Sequence, residues 1–290
     1  MDLLSQVLVS GVTLGSLYAL VGLGFVVIYR ATRVVNFAQG EMLMLGAILA
    51  LYFYTDLHLP YVATFVLACA IAGLFGMFLE RFAYRPLREA PVVTLILATV
   101  AVAQMIRAAV RIVRGSEVSH FPSLLSTTPF TVAGLILTPI NVSTVAIALF
   151  LVVLFMLFFR HTRLGKGMEA TSENRDAATL VGISVNWTFA LTWAVSSALA
   201  AAAGILLAPL IIITPDMGII GVKGFIGAIL GGFTSIPGAI GGCFLLGIIE
   251  NVAGVYISGS MKDVISFVIL LLVLTLRPEG LFGRAEARRA

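Results

Sequence analysis

The chain has 290 residues, of which 60% are hydrophobic and only 11% are charged. Soluble globular proteins carry about 25% charged residues, so this composition excludes a water-soluble domain and a disordered chain, and it indicates an integral membrane protein. The net charge of +4 is small. The two cysteines, Cys69 and Cys243, lie inside apolar stretches and support neither a disulfide framework nor a cysteine-based metal site.

The first predicted element is an uncharged segment over residues 3–29, long enough to span a hydrocarbon core of about 30 Å. Asp2 is the only charge before Arg30, so the segment lacks the basic start of a cleavable signal peptide, and we expect it to stay in the membrane. Further spanning helices are predicted in chain order at residues 60–79, 90–106, 140–159 and 187–213.

Three apolar segments are too short, or too often interrupted by glycine and proline, to be predicted as a single membrane-spanning helix. Segment 42–54 reaches only about 20 Å as a helix, so we predict a half-helix or a tilted one, and segment 264–276 is expected to begin before Lys262. Segment 224–249 is predicted to form two shorter helices around a turn. The residues that interrupt it are Gly231, Gly232, Pro237 and Gly238, followed by Gly241 and Gly242.

Non-helical backbone at membrane depth is tolerated only against protein or a water-lined path. The predicted fold class is therefore an all-α polytopic transmembrane helical bundle. It has about eight or nine spans with broken or half helices, forms a single domain over residues 1–290, and carries a cytoplasmic helix within residues 160–186.

Basic residues predict the orientation of the spans, because cytoplasmic loops are enriched in Lys and Arg. Most of the 18 basic residues lie in four clusters: Arg30 and Arg33; Arg81, Arg85 and Arg88; Arg160, Arg163, Lys166 and Arg175; and Arg277, Arg284, Arg288 and Arg289. Placing these in the cytoplasm puts the N-terminus outside and the C-terminus inside. Arg107, Arg111 and Arg114 then fall outside, on one helix face. They either snorkel to the outer headgroups or form a docking patch for an acidic extracellular partner.

Several polar side chains lie in or next to apolar segments, where contact with lipid would be energetically unfavourable. Asn36, Gln39 and Glu41 lie at the junction of the first span and the short second one, and Glu250 with Asn251 follows the glycine-rich pair of helices. An ionised carboxylate at the bilayer centre costs about 2.5–3.5 kcal/mol on insertion scales, so such residues usually face a bundle interior or a water path. An interfacial position is the alternative for both carboxylates. We expect Asn251 to help satisfy the carboxyl group of Glu250.

A weak internal repeat links these two regions. Residues 40–49 and 221–230 share two glycines and the run Gly-Ala-Ile-Leu. Paired interrupted segments in two halves of a chain point to a transport path at a repeat interface.

Catalytic motifs are missing from the sequence. There is no G-x-x-x-x-G-K-[ST] phosphate loop, no G-x-S-x-G elbow and no H-E-x-x-H pair, and His58, His120 and His161 are scattered over separate segments. We therefore predict a protein that is not an enzyme, with no catalytic residues and no metal or cofactor of its own.

The polar stretch 160–186 has helical character, and Gly182 is well placed to end its helix. Such a helix either lies on the membrane or docks into the groove of a partner, and its mixed charge favours docking. Within it, Asp176, Ala177, Ala178 and Gly182 follow the E-A-A-x-x-x-G pattern by which ABC permeases present a coupling helix to their ATPase.

At these residues the chain resembles the branched-chain amino-acid ABC permeases, specifically the smaller of their two membrane subunits, and the resemblance runs from end to end. It is carried by residues 11–20, 36–41, 84–88, 163–168, 177–183, 230–239 and 277–283. Two positions depart from the family pattern. Gln39 stands where the family usually has His, and Asp176 replaces the Glu of the general permease motif.

The resemblance implies a permease in the bacterial inner membrane that imports leucine, isoleucine and valine. Its implied partners are a homologous larger permease subunit, two cytoplasmic ATPases that bind ATP, an extracytoplasmic substrate-binding protein and the lipid bilayer, with no nucleic acid. It assigns ATPase docking to Arg163, Glu169, Asn174, Asp176, Ala177, Ala178 and Gly182. The translocation path is assigned to Asn36, Gln39, Glu41 and Glu250. Urea or short amides are an alternative substrate class, and an ATP-independent channel or facilitator is an alternative mechanism.

Overall fold

The computed structural model describes residues 3–115, 118–122, 128–132 and 135–283. The predicted tail arginines at 284, 288 and 289 lie outside these residues. The elements follow in this order: α1 Leu3–Thr32, α2 Gln39–Leu51, α3 Tyr61–Leu79, α4 Val92–Arg114, β1 Phe130–Val132, β2 Leu135–Leu137, α5 Pro139–His161, α6 Arg163–Glu173, α7 Arg175–Leu180, α8 Val185–Leu207, α9 Ile219–Gly231, α10 Ile236–Tyr256 and α11 Met261–Leu276. A π-helical turn extends α2 over Tyr52–Asp56, and a π-helical turn over Glu80–Tyr84 followed by a 3-10 turn over Arg85–Leu87 extends α3.

The architecture confirms an all-α polytopic helical bundle, with one small antiparallel hairpin, β1–β2, in the described part of the chain. Six helices in that part are long and apolar enough to cross a membrane: α1, α3, α4, α5, α8 and α10. The number is lower than the predicted eight or nine because α2 and α9 have 13 residues each and α11 has 16. At about 1.5 Å per residue, 13 residues cover only about 20 Å.

The chain folds into two compact units. Unit 1 comprises residues 1–26, 123–149 and 223–290, and unit 2 comprises residues 27–122 and 150–222. The helices that the sequence predicted as short, α2 and α9, have equal lengths and begin at the two halves of the internal repeat.

In unit 2, α8 packs closely against α2 and α3 through small residues. A Cβ atom on Gly204 would collide with the carbonyl of Leu43, and one on Gly46 would collide with the backbone of Ala201. Helices in lipid associate through such van der Waals contacts, since burial from lipid supplies no hydrophobic driving force. The close approach fixes α2 at its buried position.

In unit 1, the predicted break lies between α9 and α10, at residues 232–235. Gly232 adopts a φ of 113°, which only glycine reaches without strain, and the Ser235 hydroxyl accepts a hydrogen bond from the Gly238 amide at 3.2 Å. The expectation that Gly241 and Gly242 also interrupt the helix is wrong. Helix α10 runs through both, and Gly242 instead allows close contact, because a Cβ there would collide with the amide nitrogen of Gly231.

The cytoplasmic helix predicted within 160–186 is two helices, not one. Asn174 adopts an extended conformation with φ −153° and ψ 110°, which ends α6. Its side chain then accepts a hydrogen bond from the Ala177 amide at 3.0 Å and so caps the start of α7. Beyond α7, Gly182 has a φ of +84°, as expected for a residue that terminates a helix.

Candidate transport path and coupling region

Glu41 forms a buried ion pair with Arg107 inside unit 2. Glu41 lies in the first turn of α2 and is 2% exposed, and the Arg107 guanidinium on α4 donates to its Oε1 atom. The other carboxylate oxygen, Glu41 Oε2, and the Arg107 Nε atom make no hydrogen bond within the described residues. Of the two alternatives for the arginine stripe, snorkelling therefore does not hold for Arg107, because its guanidinium is directed at a buried carboxylate and not at headgroups.

The other two arginines of the α4 face are progressively more exposed. Arg111 forms an ion pair with Asp216 at 2.7 Å, and both side chains are about half exposed, while Arg114 at the end of α4 is exposed. Asp216 was not singled out from the sequence, since nothing local connects it to α4. The stripe is therefore a graded series running from a buried ion pair to a solvated charge.

Gln39 and Ser196 exchange hydrogen bonds next to this ion pair. The Gln39 amide nitrogen donates to the Ser196 carbonyl at 3.0 Å, and the Ser196 hydroxyl donates to the Gln39 amide oxygen, also at 3.0 Å. Both residues are fully buried. An amide that donates and accepts at once suits this position, since each buried polar atom needs a partner.

Asn36 organises the chain before α2. Its side-chain oxygen accepts from the Ala38 amide at 3.1 Å and from the Tyr84 hydroxyl at 3.5 Å. The Phe37 amide donates to the Thr99 hydroxyl at 3.2 Å. Asn36 thus fixes the turn that directs α2 into unit 2, and the structure brings three of the four predicted path residues, Asn36, Gln39 and Glu41, into one buried region.

The start of α2 lies against the chain that leads into α9. A Cβ on Gly40 would collide with the Gly218 carbonyl, and one on Gly221 would collide with the Gly40 Cα. A Cβ on Gly218 would lie 2.8 Å from Glu41 Oε1, so the carboxyl group packs directly on this glycine. The equivalent glycines of the internal repeat are therefore in contact beside the buried ion pair.

Glu250, the fourth predicted path residue, lies in a separate polar cluster in unit 1. It is 1% exposed and receives a 3.0 Å hydrogen bond from the Tyr18 hydroxyl. Lys223 on α9 forms an ion pair with Glu250 and a second one, at 2.8 Å, with Asp263. Lys223 was missed at the sequence level, although a lone lysine in a short apolar helix was a usable signal.

Asn251 does not satisfy Glu250 as expected. Its side-chain nitrogen donates to the Gly247 carbonyl at 2.9 Å, and its oxygen accepts from Lys262 at 3.5 Å. The two residues are consecutive on α10, and consecutive helical side chains point in different directions.

The break between α9 and α10 is covered by the segment that follows α11. The Leu281 amide donates to the Leu230 carbonyl at 2.8 Å, and the Phe282 amide donates to the Gly231 carbonyl at 3.0 Å. Carbonyls left open at the end of α9 are thus satisfied by protein, as non-helical backbone in a membrane requires. Pro237 lies in the first turn of α10, where it needs no amide hydrogen.

Helix α7, part of the predicted coupling region, ends in an exposed apolar tip. Leu180 is 88% exposed and Val181 is 75% exposed, whereas Ala178 is buried. Of the remaining docking candidates, Arg163, Glu169, Asn174, Asp176 and Ala177 are exposed, and Glu169 lies 4.0 Å from Arg30. Exposed apolar groups rimmed by polar ones are typical of an interaction surface.

Arg175 ties α7 to the rest of unit 2. Its guanidinium donates to the Thr32 carbonyl at 3.4 Å and lies over the Phe189 ring at 5.1 Å. Burial lowers the pKa of Arg175, and the nearby charges of Arg88 and Arg33 lower it further. Arg175 thus links α7 to the end of α1 and to the start of α8.

Within the described ranges, no group of three His, Cys, Asp or Glu side chains is placed to hold a metal ion. The polar clusters in these ranges are ion pairs and amide hydrogen bonds.

The sequence of this chain matches known proteins over almost its whole length. Residues 7–274 match the family described as branched-chain amino acid transport system / permease component. The high-affinity branched-chain amino acid transport system permease proteins LivH of Escherichia coli K12 and BraD of Pseudomonas aeruginosa are each 33% identical, over 98% of this chain and 97% of their own. The probable branched-chain amino acid transport permease protein LivH of Methanocaldococcus jannaschii is 30% identical over 96% of this chain and 92% of its own.

A solved structure of PsaBC from Streptococcus pneumoniae in complex with Fab has a TM-score of 0.54 and covers 94% of this chain and 91% of that one. Its sequence identity is 12%, so the similarity concerns the fold alone. The family match and the full-length relatives lead to one conclusion: this chain belongs to the family of branched-chain amino acid transport system permease components.

Proposed function

We propose that this chain is the smaller of the two membrane permease subunits of an ABC importer for leucine, isoleucine and valine in a bacterial inner membrane. The observation that carries the proposal is the identity of 33% with LivH and BraD over nearly the whole of each chain. The aligned region therefore contains the residues assigned to the translocation path, the break between α9 and α10, and the predicted coupling region. The N-terminus lies outside and the C-terminus in the cytoplasm, with the arginine clusters on the inner side.

The path is assigned to Asn36, Gln39, Glu41 and Glu250. Glu41 and Arg107 supply a carboxylate and a guanidinium side by side, which are the groups that complement the ammonium and carboxylate of an amino acid. Urea and short amides carry no charges to match. The buried pair therefore favours an amino acid over these neutral substrates.

Energy for transport comes from two ATPase subunits that dock on α6 and α7. The chain has no phosphate-binding loop, so ATP is bound by the partners. Docking uses Arg163, Glu169, Asn174, Asp176, Ala177, Ala178 and Gly182, with Leu180 and Val181 as the apolar centre. A nucleotide-driven movement of the ATPases shifts the equilibrium between inward- and outward-facing states, because ATP binds one state more tightly.

The assembly also contains a homologous larger permease and an extracytoplasmic binding protein that delivers the substrate. Gly231, Gly232, Pro237 and Gly238 form the broken-helix hinge at which unit 1 accommodates the two states.

Purification of the tagged chain in mild detergent, followed by identification of co-purifying subunits and an ATPase assay, tests the proposal. We expect ATPase subunits in the preparation and hydrolysis stimulated by a leucine-loaded binding protein. Stimulation only by a urea- or amide-loaded binding protein would contradict the substrate. A chain that purifies alone and passes solute into liposomes without ATP would be a facilitator.

A further inference from the structure

Helix α7 is connected to the buried chain before α2 by a series of side-chain contacts within unit 2. The series starts at Arg175, the first residue of α7, whose guanidinium carbon lies 5.1 Å from the centroid of the Phe189 ring. The guanidinium carbon of Arg88 lies 4.5 Å from the same centroid. Cation–π attraction favours both positions, so one buried ring of α8 holds a side chain of α7 and a side chain that follows α3.

Arg88 joins this ring to the end of α3. Its guanidinium donates to the Glu80 carboxylate at 2.9 Å and to the Asn186 side-chain oxygen at 2.8 Å. Glu80 is 3% exposed, and a carboxylate buried to this degree is costly to leave without its ion-pair partner. We therefore expect Arg88 and Glu80 to stay together when either one moves.

Glu80 and Tyr84 are the first and last residues of the π-helical turn that extends α3. The Tyr84 ring stacks on Trp193 with the ring centroids 4.2 Å apart, and its hydroxyl donates to the Asn36 side-chain oxygen at 3.5 Å. Asn36 is 1% exposed and directs the chain into α2. The series of contacts that starts at α7 therefore ends at one of the residues assigned to the translocation path.

The π-helical turn is the element of this series that is suited to rearrangement. Its closing hydrogen bond runs from the Arg85 amide to the Glu80 carbonyl, five residues back, whereas an α-helix bonds four residues back, and single π-helical turns are frequent at functional sites. A cavity of about 160 Å³, lined in part by Glu80, Tyr84 and Arg88, adjoins the turn. Since protein interiors are otherwise close-packed, this space allows the side chains to take up a second arrangement.

We propose that Glu80, Arg88 and Tyr84 are positioning residues, which link the position of α7 to the start of α2. The proposal rests on the proposed function, in which ATPase subunits displace α7 and α2 carries path residues, and it names the contacts by which one affects the other. Coupling between two sites requires an element with two arrangements that both sites bias, and the π-helical turn is that element here. Displacement of α7 withdraws Arg175 from the shared ring, lets the Arg88–Glu80 pair shift into the adjoining cavity and releases Asn36 from Tyr84.

Proteoliposomes of the complete transporter test this link through the number of leucine molecules imported per ATP hydrolysed. Loss of folded protein lowers import and hydrolysis together, so a purely structural defect leaves this ratio unchanged. Tyr84→Phe removes only the hydroxyl at the end of the series, and its matched control is Tyr54→Phe, in another stacked tyrosine of unit 2. Glu80→Gln removes the buried charge, and its control is Glu89→Gln at an exposed position.

We expect Tyr84→Phe to lower the ratio by roughly two- to tenfold, the range that corresponds to one lost hydrogen bond, while hydrolysis continues. Both controls should keep the ratio of the unmodified chain. Combined with Glu80→Gln, Tyr84→Phe should lower the ratio no further than the more impaired single variant does, because residues in one series act together. Effects that multiply would show two independent sites and contradict the proposal, as would equal ratios in Tyr84→Phe and Tyr54→Phe.

A second readout does not depend on the identity of the substrate. Val35→Cys, introduced with Cys69→Ala and Cys243→Ala, places a thiol at a half-buried position next to Asn36, and its rate of reaction with a maleimide is measured with and without ATP. We expect ATP to change this rate in the otherwise unmodified chain and to have little effect when Tyr84→Phe is present. An unchanged rate with ATP, or an equal change in the Tyr84→Phe background, overturns the proposal. If ATP changes the rate through Tyr84 but leucine does not stimulate import, the substrate in the proposed function is wrong and the link through Tyr84 stands.

Discussion

Gln39 and Ser196 form two reciprocal hydrogen bonds: the Gln39 amide nitrogen donates to the Ser196 carbonyl, and the Ser196 hydroxyl donates to the Gln39 amide oxygen, both at 3.0 Å. This pair joins the start of α2 to the middle of α8. The neighbouring Ser197 is equally buried, but its hydroxyl has no hydrogen-bond partner in the described part of the chain. Two adjacent serines on one helix therefore provide an internal comparison.

Ser196→Ala is expected to destabilise the protein by about 0.6–2 kcal/mol, the range for a lost buried hydrogen bond in membrane and soluble proteins. The reason is that the Gln39 amide oxygen loses its donor in a region closed to water. The Tm of the detergent-solubilised chain measures the effect. Ser197→Ala is the control and should leave the Tm within the experimental error. Equal losses in the two variants would show that packing of the hydroxyl, and not its hydrogen bond, is what matters.

Glu41→Gln and Arg107→Gln should each lower the amount of folded protein in the membrane. Each leaves one buried charge without its partner, which costs about 3–5 kcal/mol. The double variant removes both charges and should recover the membrane level. If the pair contacts the substrate, uptake of labelled leucine in proteoliposomes stays low even in the double variant.

Arg111→Gln is the control for this series, because the Arg111–Asp216 pair is half exposed and such pairs contribute about 0–1 kcal/mol. Full recovery of both level and uptake in the double variant would assign the Glu41–Arg107 pair a structural role only.

Lys223→Met is expected to destabilise the chain much more than Asp263→Asn. Lys223 neutralises Glu250, which is 1% exposed, whereas the Asp263 side chain is 69% exposed and can be hydrated. Tyr18 alone then remains to stabilise the carboxylate. Size-exclusion profiles and Tm values of the two variants provide the measurement. A larger fall in Tm for Asp263→Asn would mean that the exposed Lys223–Asp263 ion pair contributes more to stability than the buried Lys223–Glu250 pair.

Gly182→Leu should uncouple the transporter. Gly182 has a φ of +84° with no atom within 4 Å of the position of a Cβ, so the cost is the backbone conformation, about 1–2 kcal/mol, and not a steric clash. We expect stimulated ATP hydrolysis and leucine uptake to fall while the membrane level is unchanged. Gly182→Asn is the matched variant, because asparagine tolerates the left-handed region, and it should retain most of the uptake. Normal uptake by the leucine variant would exclude a coupling role for this turn.

The spans and the break between α9 and α10 could be predicted because they depend on local composition and on glycine and proline. Gly182 was recognisable for the same reason. The break at Asn174 could not be predicted. An asparagine inside a polar helical stretch can either continue the helix or cap the start of a new one, and only the hydrogen bond with the Ala177 amide shows that it is a cap.

The partners of the buried charges could not be predicted either. Glu41 and Glu250 were conspicuous in apolar surroundings, but Arg107 follows Glu41 by 66 residues and Lys223 precedes Glu250 by 27. Which charges pair over such distances along the chain depends on how the helices pack, and the hydropathy of the sequence carries no information about that packing.

These separations also affect how the chain is inserted during synthesis. Lys223 and Glu250 lie on consecutive helices, so α9 and α10 are expected to leave the translocon as a hairpin whose charges are already neutralised. Glu41 has no such neighbour: an unpaired carboxylate at mid-membrane costs about 2.5–3.5 kcal/mol on insertion scales, and its arginine is made two helices later. Glycosylation mapping of nascent chains stopped after α3 and after α4 should find α2 stably inserted only in the longer chain. We therefore expect integration of α2 to be completed only after α4 has been synthesised.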